Sequence, residues 1–359
     1  MRPWLPASAW DLSLFAPGIL GAPALPAKEI AHGLALPALE VLLSRAIPVP
    51  EDWETNESFE GSIFRLFGHP APWQGDWPVA AVTHALDSGH RDGDCYLRAD
   101  PVHLRAGMNT LVLVDATSFA LTYTEAQALA QEINTSYANE GLKLEVLHPR
   151  RWYMRLANVP AVQTYPLSKV VGRELKAYLP QGPDAQRWRK WLNEVQMILH
   201  ASPINAERTS RGEPPVNSVW LWGGGPLPSV PPSPWRRVWG GDALSQGLAR
   251  LASIPWSECP ESAVPWLRNN AMAGQHLLII ERADGLAQVG DVEGWRDYMR
   301  ALHREWFVPL QGMLRSGRLS SLTLMTGSGR GFRVTPRLLR RWWRRRQPLQ
   351  SWLSAGIGR

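Results

Sequence analysis

The stretch from Asn193 to Gly225 constrains this chain more than any other. Trp188, Trp191, Leu192, Val195 and Leu199 recur at helical spacing, so an amphipathic helix leads into it. A polar loop holding His200, Asn205, Arg208 and Asn217 follows, and then an apolar run ending in Gly223, Gly224 and Gly225. The expected order is helix, polar loop, buried strand and tight turn. Three glycines at the carboxyl end of a strand let backbone approach a ligand, and open α/β sheets place their sites at that end. The same residues also have a packing explanation, in which the glycines fit a close contact and the Asn and Arg side chains satisfy buried carbonyls.

Strand and helix patterns alternate on either side of this stretch. Leu12 to Ala16 reads as an opening strand, Pro37 to Ala46 as a helix, Pro48 to Phe59 as a polar loop, and Pro78 to Leu86 as a helix with Pro78 in its first turn. Between Asp92 and Ala201 the pattern gives strands at Tyr96 to Arg98, Thr110 to Asp115, Lys143 to Leu147 and Trp152 to Leu156. Helices there run from Thr124 to Glu140, Leu167 to Tyr178 and Asp184 to His200. Thr122 to Glu125 forms an N-cap region and Gly141 a stop. After Gly225 comes a proline-rich connector over 226–234, expected to be extended. A helix capped by Asp242 runs to Ala252, His276 to Ile280 is a strand, and Asp291 opens a long helix over Val292 to Leu314. Ser321 to Met325 and Phe332 to Thr335 read as the last strands. Alternation at both ends argues for one sheet built by both, with the middle inserted. The boundaries are 1–91 with 202–359 for an α/β core, and 92–201 for an inserted α+β subdomain.

Length and an apolar content of 45% allow a sizeable core split into two units. Cys95 and Cys259 make no disulfide framework and lack metal-type spacing, which fits a reducing compartment. The N-terminus imitates a secretory signal, but Asp11 and Pro3, Pro6, Pro17, Pro23 and Pro26 interrupt any apolar helix, so a cytoplasmic protein is expected. No apolar run reaches the ~20 residues needed to span a membrane. The net charge of +6 is local: residues 330–359 hold nine arginines and no acid, leaving a balance of −3 on the rest.

Asn193, His200, Pro203-Ile204-Asn205, Arg208, Gly212, Pro215-Val216-Asn217 and Gly223 to Gly225 together resemble a segment of archaeal-type cofactor-independent phosphoglycerate mutases. Leu97 to Arg105 and Pro215 to Gly225 resemble, more closely, the hallmarks of a bacterial family of RpfE-type regulatory proteins. The mutase resemblance implies an alkaline-phosphatase-like three-layer α/β sandwich whose insertion closes over the substrate, with Arg98 and Arg151 on the arginine-bearing segments. It also implies a metal-binding aspartate after the first strand and a nucleophilic Ser at the start of the Pro78 helix. Here the strand runs into Ala16-Pro17-Gly18, and no Ser or Thr occurs from Gly75 until Thr83. The segments that carry further Asp and His ligands in the mutases read Ala287-Gln288-Val289-Gly290-Asp291 and Thr326-Gly327-Ser328-Gly329. Asp284 and Asp291 lie nearby without an imidazole, as a loop end and an N-cap.

A two-metal phosphotransferase needs about five to seven Asp/His ligands on strand ends. The resemblance therefore implies a non-catalytic descendant with no metal and no cofactor, acting as a regulatory or binding protein. Its candidate ligand for a small phosphorylated or carboxylated metabolite is met by Arg98, Asp100, His103, Arg151, His200, Asn205, Arg208, Asn217 and Gly223 to Gly225. The alternatives are a metal-dependent mutase or related phosphotransferase with rebuilt chemistry, and a polyanion-binding protein. Gly327 to Gly331 follows a strand but leads into another, so no helix N-terminus is there to receive a dinucleotide. The polyanion reading rests on Pro336 to Trp352, read as a helix with Leu339, Trp342 and Trp343 on one side. Docked by those tryptophans it is a terminal helix with solvated arginines; otherwise Arg340, Arg341, Arg344, Arg345 and Arg346 offer a contact for nucleic acid, anionic lipid or an acidic protein partner.

Overall fold

The first strand, β1 (Trp10–Phe15), sits in the middle of a sheet although it opens the chain. The computed structural model describes residues 10–21, 27–50, 57–70, 75–107, 110–139, 141–269 and 273–353. Pro3, Pro6, Pro23, Pro26 and Glu140 lie outside them. The further strands are β2 (Ile47–Pro50), β3 (Cys95–Ala106), β4 (Leu111–Asp115), β5 (Leu144–His148), β6 (Arg151–Leu156) and β7 (Ser218–Pro226). They continue with β8 (Trp235–Gly240), β9 (Trp256–Glu258), β10 (Gly274–Ile279), β11 (Ser321–Met325) and β12 (Arg330–Val334). Two compact units result, one from residues up to Gly68 and from Pro231 onward, the other from His69 to Val230.

The first unit holds a mixed sheet in the order β2-β12-β11-β1-β10-β8-β9. β11, β1, β10, β8 and β9 are parallel, while β12 runs antiparallel to β11 and to β2. Along β1, Leu12 and Leu14 face one way and meet Leu39 and Leu42 of the Pro37–Arg45 helix, Trp295 and Met299 of the Val292–Leu302 helix, and Leu314 of the Val308–Arg315 helix in one apolar core. Each such side chain contributes roughly 1.5–3 kcal/mol by leaving water. Phe15 points to the opposite face and stacks on Phe59 of the Phe59–Leu66 helix at 6.0 Å. The sheet is thus covered on both faces, as buried parallel strands require.

Several expectations are corrected. Within 48–59, β2 is an edge strand, where Pro48 and Pro50 owe no inward N–H to a ladder, and Ser58 caps the next helix; residues 51–56 lie outside the described set. The helix expected over 292–314 widens into a π turn at His303–Phe307 just before Pro309, which has no N–H to give the fourth residue back. The helix expected over 167–178 is a short turn at Leu167–Val170 and a 3-10 turn at Leu175–Tyr178. The C-terminal segment is not one helix: Pro336–Leu339 and Leu349–Leu353 are short helices joined by turns, and Trp342 and Trp343 face solvent at 79% and 63% exposure.

In the second unit β4-β3-β6-β5 form an antiparallel sheet, and β7 pairs with β3 from Cys95 against Pro226 to Val102 against Ser218. That long antiparallel register draws β7 and the segments before it into this unit, beyond the boundary expected at 92–201.

Candidate functional site

Residues of period two sort the second unit's sheet into an apolar and a polar face. Leu97, Ala99, Trp152, Met154, Val219 and Leu221 pack into a core with the Tyr123–Ser136 and Ala185–His200 helices. Their alternates, Arg98, Asp100, Arg151, Tyr153 and Trp222, face the other way. The Arg98 guanidinium makes a bidentate pair with Asp100, Nε to Oδ1 and Nη2 to Oδ2 both at 2.8 Å, and donates Nη1 to Thr83 Oγ1 at 3.2 Å. It lies 5.4 Å from the Tyr153 ring centre and 5.1 Å from that of Trp222. Asp100 also accepts Trp222 Nε1 at 2.8 Å. Burial draws its carboxyl upward from the ordinary value, against the pull of Arg98.

Arg151 pairs with Asp87 through Nε and Nη2, both at 2.7 Å, and the Tyr153 hydroxyl donates to the same carboxylate at 2.6 Å. Burial opposes ionisation of Asp87, yet the Arg151 and Tyr153 hydrogen bonds hold it below its ordinary value. Thr83 and Asp87 share the Val79–Ser88 helix, which Gly223 and Gly225 bring close to β7. A Cβ on Gly225 would lie 2.9 Å from Pro78 Cβ, and one on Gly223, whose φ is +67°, 3.0 Å from Val79 Cβ. A Cβ on Gly224 would meet Leu97 Cδ1 at 3.0 Å. Gly223 and Gly225 therefore seat a helix and Gly224 a leucine of β3, and the strand they end is antiparallel rather than parallel.

The polar residues before β7 are engaged in the same way. Asn205 donates to the carbonyls of Leu199 and Val216, both at 2.8 Å, and accepts Val216 N at 2.9 Å. Arg208, 0% exposed, donates to the carbonyls of Pro214 and Ala120 and pairs with Glu125 at 3.1 Å. Asn217 extends the ladder with its side chain, accepting Leu104 N at 2.7 Å and donating to Leu104 O at 2.9 Å. His103 Nδ1 contacts Pro215 O at 2.9 Å, while His200 is exposed at the end of its helix. The polar loop expected here contains a helix, Pro203–Ser210, with Pro203 in its first turn. The structure thus brings Arg98 together with Asp100, and Asn205 and Arg208 with their loop, while His200 stands apart.

At the carboxyl ends of the first unit's parallel strands lie the groups the sequence left unassembled. Asp242, after β8, caps the Ala243–Leu251 helix by accepting Ser245 N at 2.7 Å and Ser245 Oγ at 2.5 Å. Glu281, after β10, is pushed up to about 8 by burial and by the nearby charges of Asp242, Glu60 and Asp284. Asp284 accepts Gln288 Nε2 at 2.6 Å. Burial and Glu281 push the Cys259 thiol up to about 11. Gly18, at φ +77°, sits so close that a Cβ would come 2.5 Å from Asp284 Cα, and a Cβ on Gly327 would lie 3.0 Å from Pro17 Cβ. His276 is buried within β10 beside the Trp10 and Trp266 rings. Among the described residues no group of three or more His, Cys, Asp and Glu is placed to hold a metal ion, so the donor set does not fit the metal site that the mutase resemblance implies. A cavity of 820 Å³ in the second unit, lined by Lys143, Arg155, Asp94, Glu145 and Asn158 among others, had no sequence signal because its residues come from separate strand ends.

Residues 81–205 match the family model of 2,3-bisphosphoglycerate-independent phosphoglycerate mutase. The probable mutase of that name from Geobacter sulfurreducens is 25% identical over 171 residues, 46% of this chain and 42% of that one. The Methanosarcina barkeri mutase is 26% identical over 144 residues, 38% and 35% of the two chains. The aligned segments span less than half the length of these mutases. Among solved structures, a Pyrococcus horikoshii protein has a TM-score of 0.50 at 16% identity, covering 92% of this chain and 87% of that one, and shares the fold. The cofactor-independent phosphoglycerate mutase of Thermoplasma acidophilum has a TM-score of 0.43 at 16% identity, covering 90% of each chain. The chain is distantly related to the cofactor-independent phosphoglycerate mutases. Over the matched stretch it is phosphoglycerate-mutase-like.

Proposed function

We propose that the chain is a non-catalytic, phosphoglycerate-mutase-like regulatory or binding protein of the RpfE type. One observation carries this reading. Thr83 is the first hydroxyl-bearing residue of the helix on which the mutase resemblance expects a nucleophile, and its side chain is committed to the fold. It donates to Val79 O at 2.8 Å, accepts Arg98 Nη1 at 3.2 Å, and is 1% exposed. Its hydroxyl is turned into the fold rather than presented to solvent.

A small phosphorylated or carboxylated ligand would have to displace Asp100 from Arg98 or Glu125 from Arg208, and opening a buried pair costs about 3–5 kcal/mol. The cavity at Lys143 and Arg155 imposes no such penalty, since the Arg155–Asp94 pair is exposed and weak. A binding role for small anions therefore falls there. The test is intact-mass measurement of the full chain after incubation with 3-phosphoglycerate and manganese. The chain is expected to stay unmodified; a phosphorylated chain overturns the reading.

A further inference from the structure

The expectation that Trp342 and Trp343 dock a terminal helix fails, and what replaces it is a surface. Both indoles project into solvent, and their rings meet edge to face, 6.1 Å apart at 83°. Arg340, Arg344 and Arg345 beside them are exposed. The backbone that carries them is pinned: Arg45 Nη1 donates to Leu339 O at 2.5 Å, Arg344 Nη1 to Ala46 O at 3.1 Å, and Gln347 N to Ser44 Oγ at 2.9 Å, while Arg346 pairs with Glu40 at 3.3 Å. The tryptophans are thus held outward at little ordering cost on binding.

We propose that this loop is a docking surface for the anionic headgroup region of a phospholipid bilayer. Indole is an interfacial side chain, apolar in body and polar at its N–H, and arginines around it meet lipid phosphates. Charge complementarity supports the choice, because residues 330–359 carry nine arginines without an acid while the rest of the chain is at −3. A nucleic acid calls for an extended basic track with aromatic faces that successive bases can stack on. Here the exposed Arg340, Arg344 and Arg345 lie within three residues of the two indoles in the chain, and perpendicular rings offer no common stacking direction. Among the described residues no helix is long and apolar enough to cross a membrane.

The experiment is co-sedimentation of the full chain with vesicles of phosphatidylcholine alone and of phosphatidylcholine mixed with phosphatidylglycerol, at physiological salt, with a single-stranded oligonucleotide as a separate arm. The proposal expects binding to the anionic vesicles only, with a blue shift of tryptophan emission. Trp342→Ala with Trp343→Ala should lower that affinity on the order of tenfold or more. Arg340→Gln and Arg345→Gln should each lower it about fivefold. All four side chains are exposed, so thermal unfolding should stay that of the wild type and separates lost docking from lost folding. No binding to anionic vesicles, binding unchanged in the double tryptophan variant, or preference for the oligonucleotide would each overturn it.

Discussion

Replacing Arg98 by Met removes the guanidinium while keeping most of the aliphatic bulk between Tyr153 and Trp222. It leaves Asp100, 1% exposed, with no cation and only the Trp222 indole and a long contact from Trp152 N. Breaking one side of a buried, bidentate pair costs about 3–5 kcal/mol, much of it the penalty of stranding the other charge. Thr83 also loses a donor, but it still reaches Val79 O, so that addition is small. For a unit of this size each kcal/mol lowers Tm by about 2–4 °C, so the second unit's transition should fall on the order of 10 °C. Calorimetry of the full chain measures it. Adding Asp100→Leu removes the stranded charge and should recover most of the loss, because an apolar pair of similar volume is often neutral or stabilising. If Arg98→Met stays within about 1 kcal/mol of wild type, or if the double variant is as unstable as the two singles summed, Arg98 is not the structural ion pair described above.

Other perturbations read separate parts of the account. Gly225→Ala should destabilise the second unit by about 2–4 kcal/mol in urea unfolding, since its φ of +156° and the 2.9 Å approach to Pro78 Cβ both resist a side chain. Glu281 binds its proton more tightly folded, at about 8, than unfolded, at 4.5, so the stability it supplies is full below about pH 4.5 and is lost as pH rises through 8. Glu281→Gln should flatten that decline in thermal melts between pH 5 and about 8; an unchanged slope would show that the carboxyl is ionised throughout. Arg208→Ala should cost about 3–5 kcal/mol in the same melts, because it strands the carbonyls of Pro214 and Ala120 and the Glu125 carboxylate.

Local signals were legible in the sequence, and partners across the fold were not. Thr122 with Glu125 forms a complete capping box, and Asp242 and Asp291 cap the helices they precede, because a cap is decided within three residues. β1, β4, β10 and β11 appear close to where alternation placed them. The Pro203–Ser210 helix was missed although Ser202 and Pro203 are a start signal, since its charged residues mask a short apolar face. Arg208 was open to both a ligand and a structural role because Glu125 and Ala120 lie more than eighty residues away. For Arg98 the signal was present: Asp100 is two residues along, hence on the same face of an extended strand. Glycines at 223–225 were read both for closeness to a ligand and for close packing, and their close neighbours are the helix that begins after Pro78, for Gly223 and Gly225, and Leu97 of β3, for Gly224. For 336–352 helical periodicity in the arginines and tryptophans outweighed Pro348, which the structure leaves just ahead of its last short helix.

The central claim, that the ancestral phosphoryl transfer has been lost with the nucleophile, is met most directly by turnover. Purified full chain, supplied with manganese, is assayed for interconversion of 3- and 2-phosphoglycerate, and again after chelation. The structure described here predicts no turnover above the protein-free control in either condition. Chelator-sensitive turnover by the wild-type chain would contradict it and would place a nucleophile and a metal site elsewhere on this scaffold.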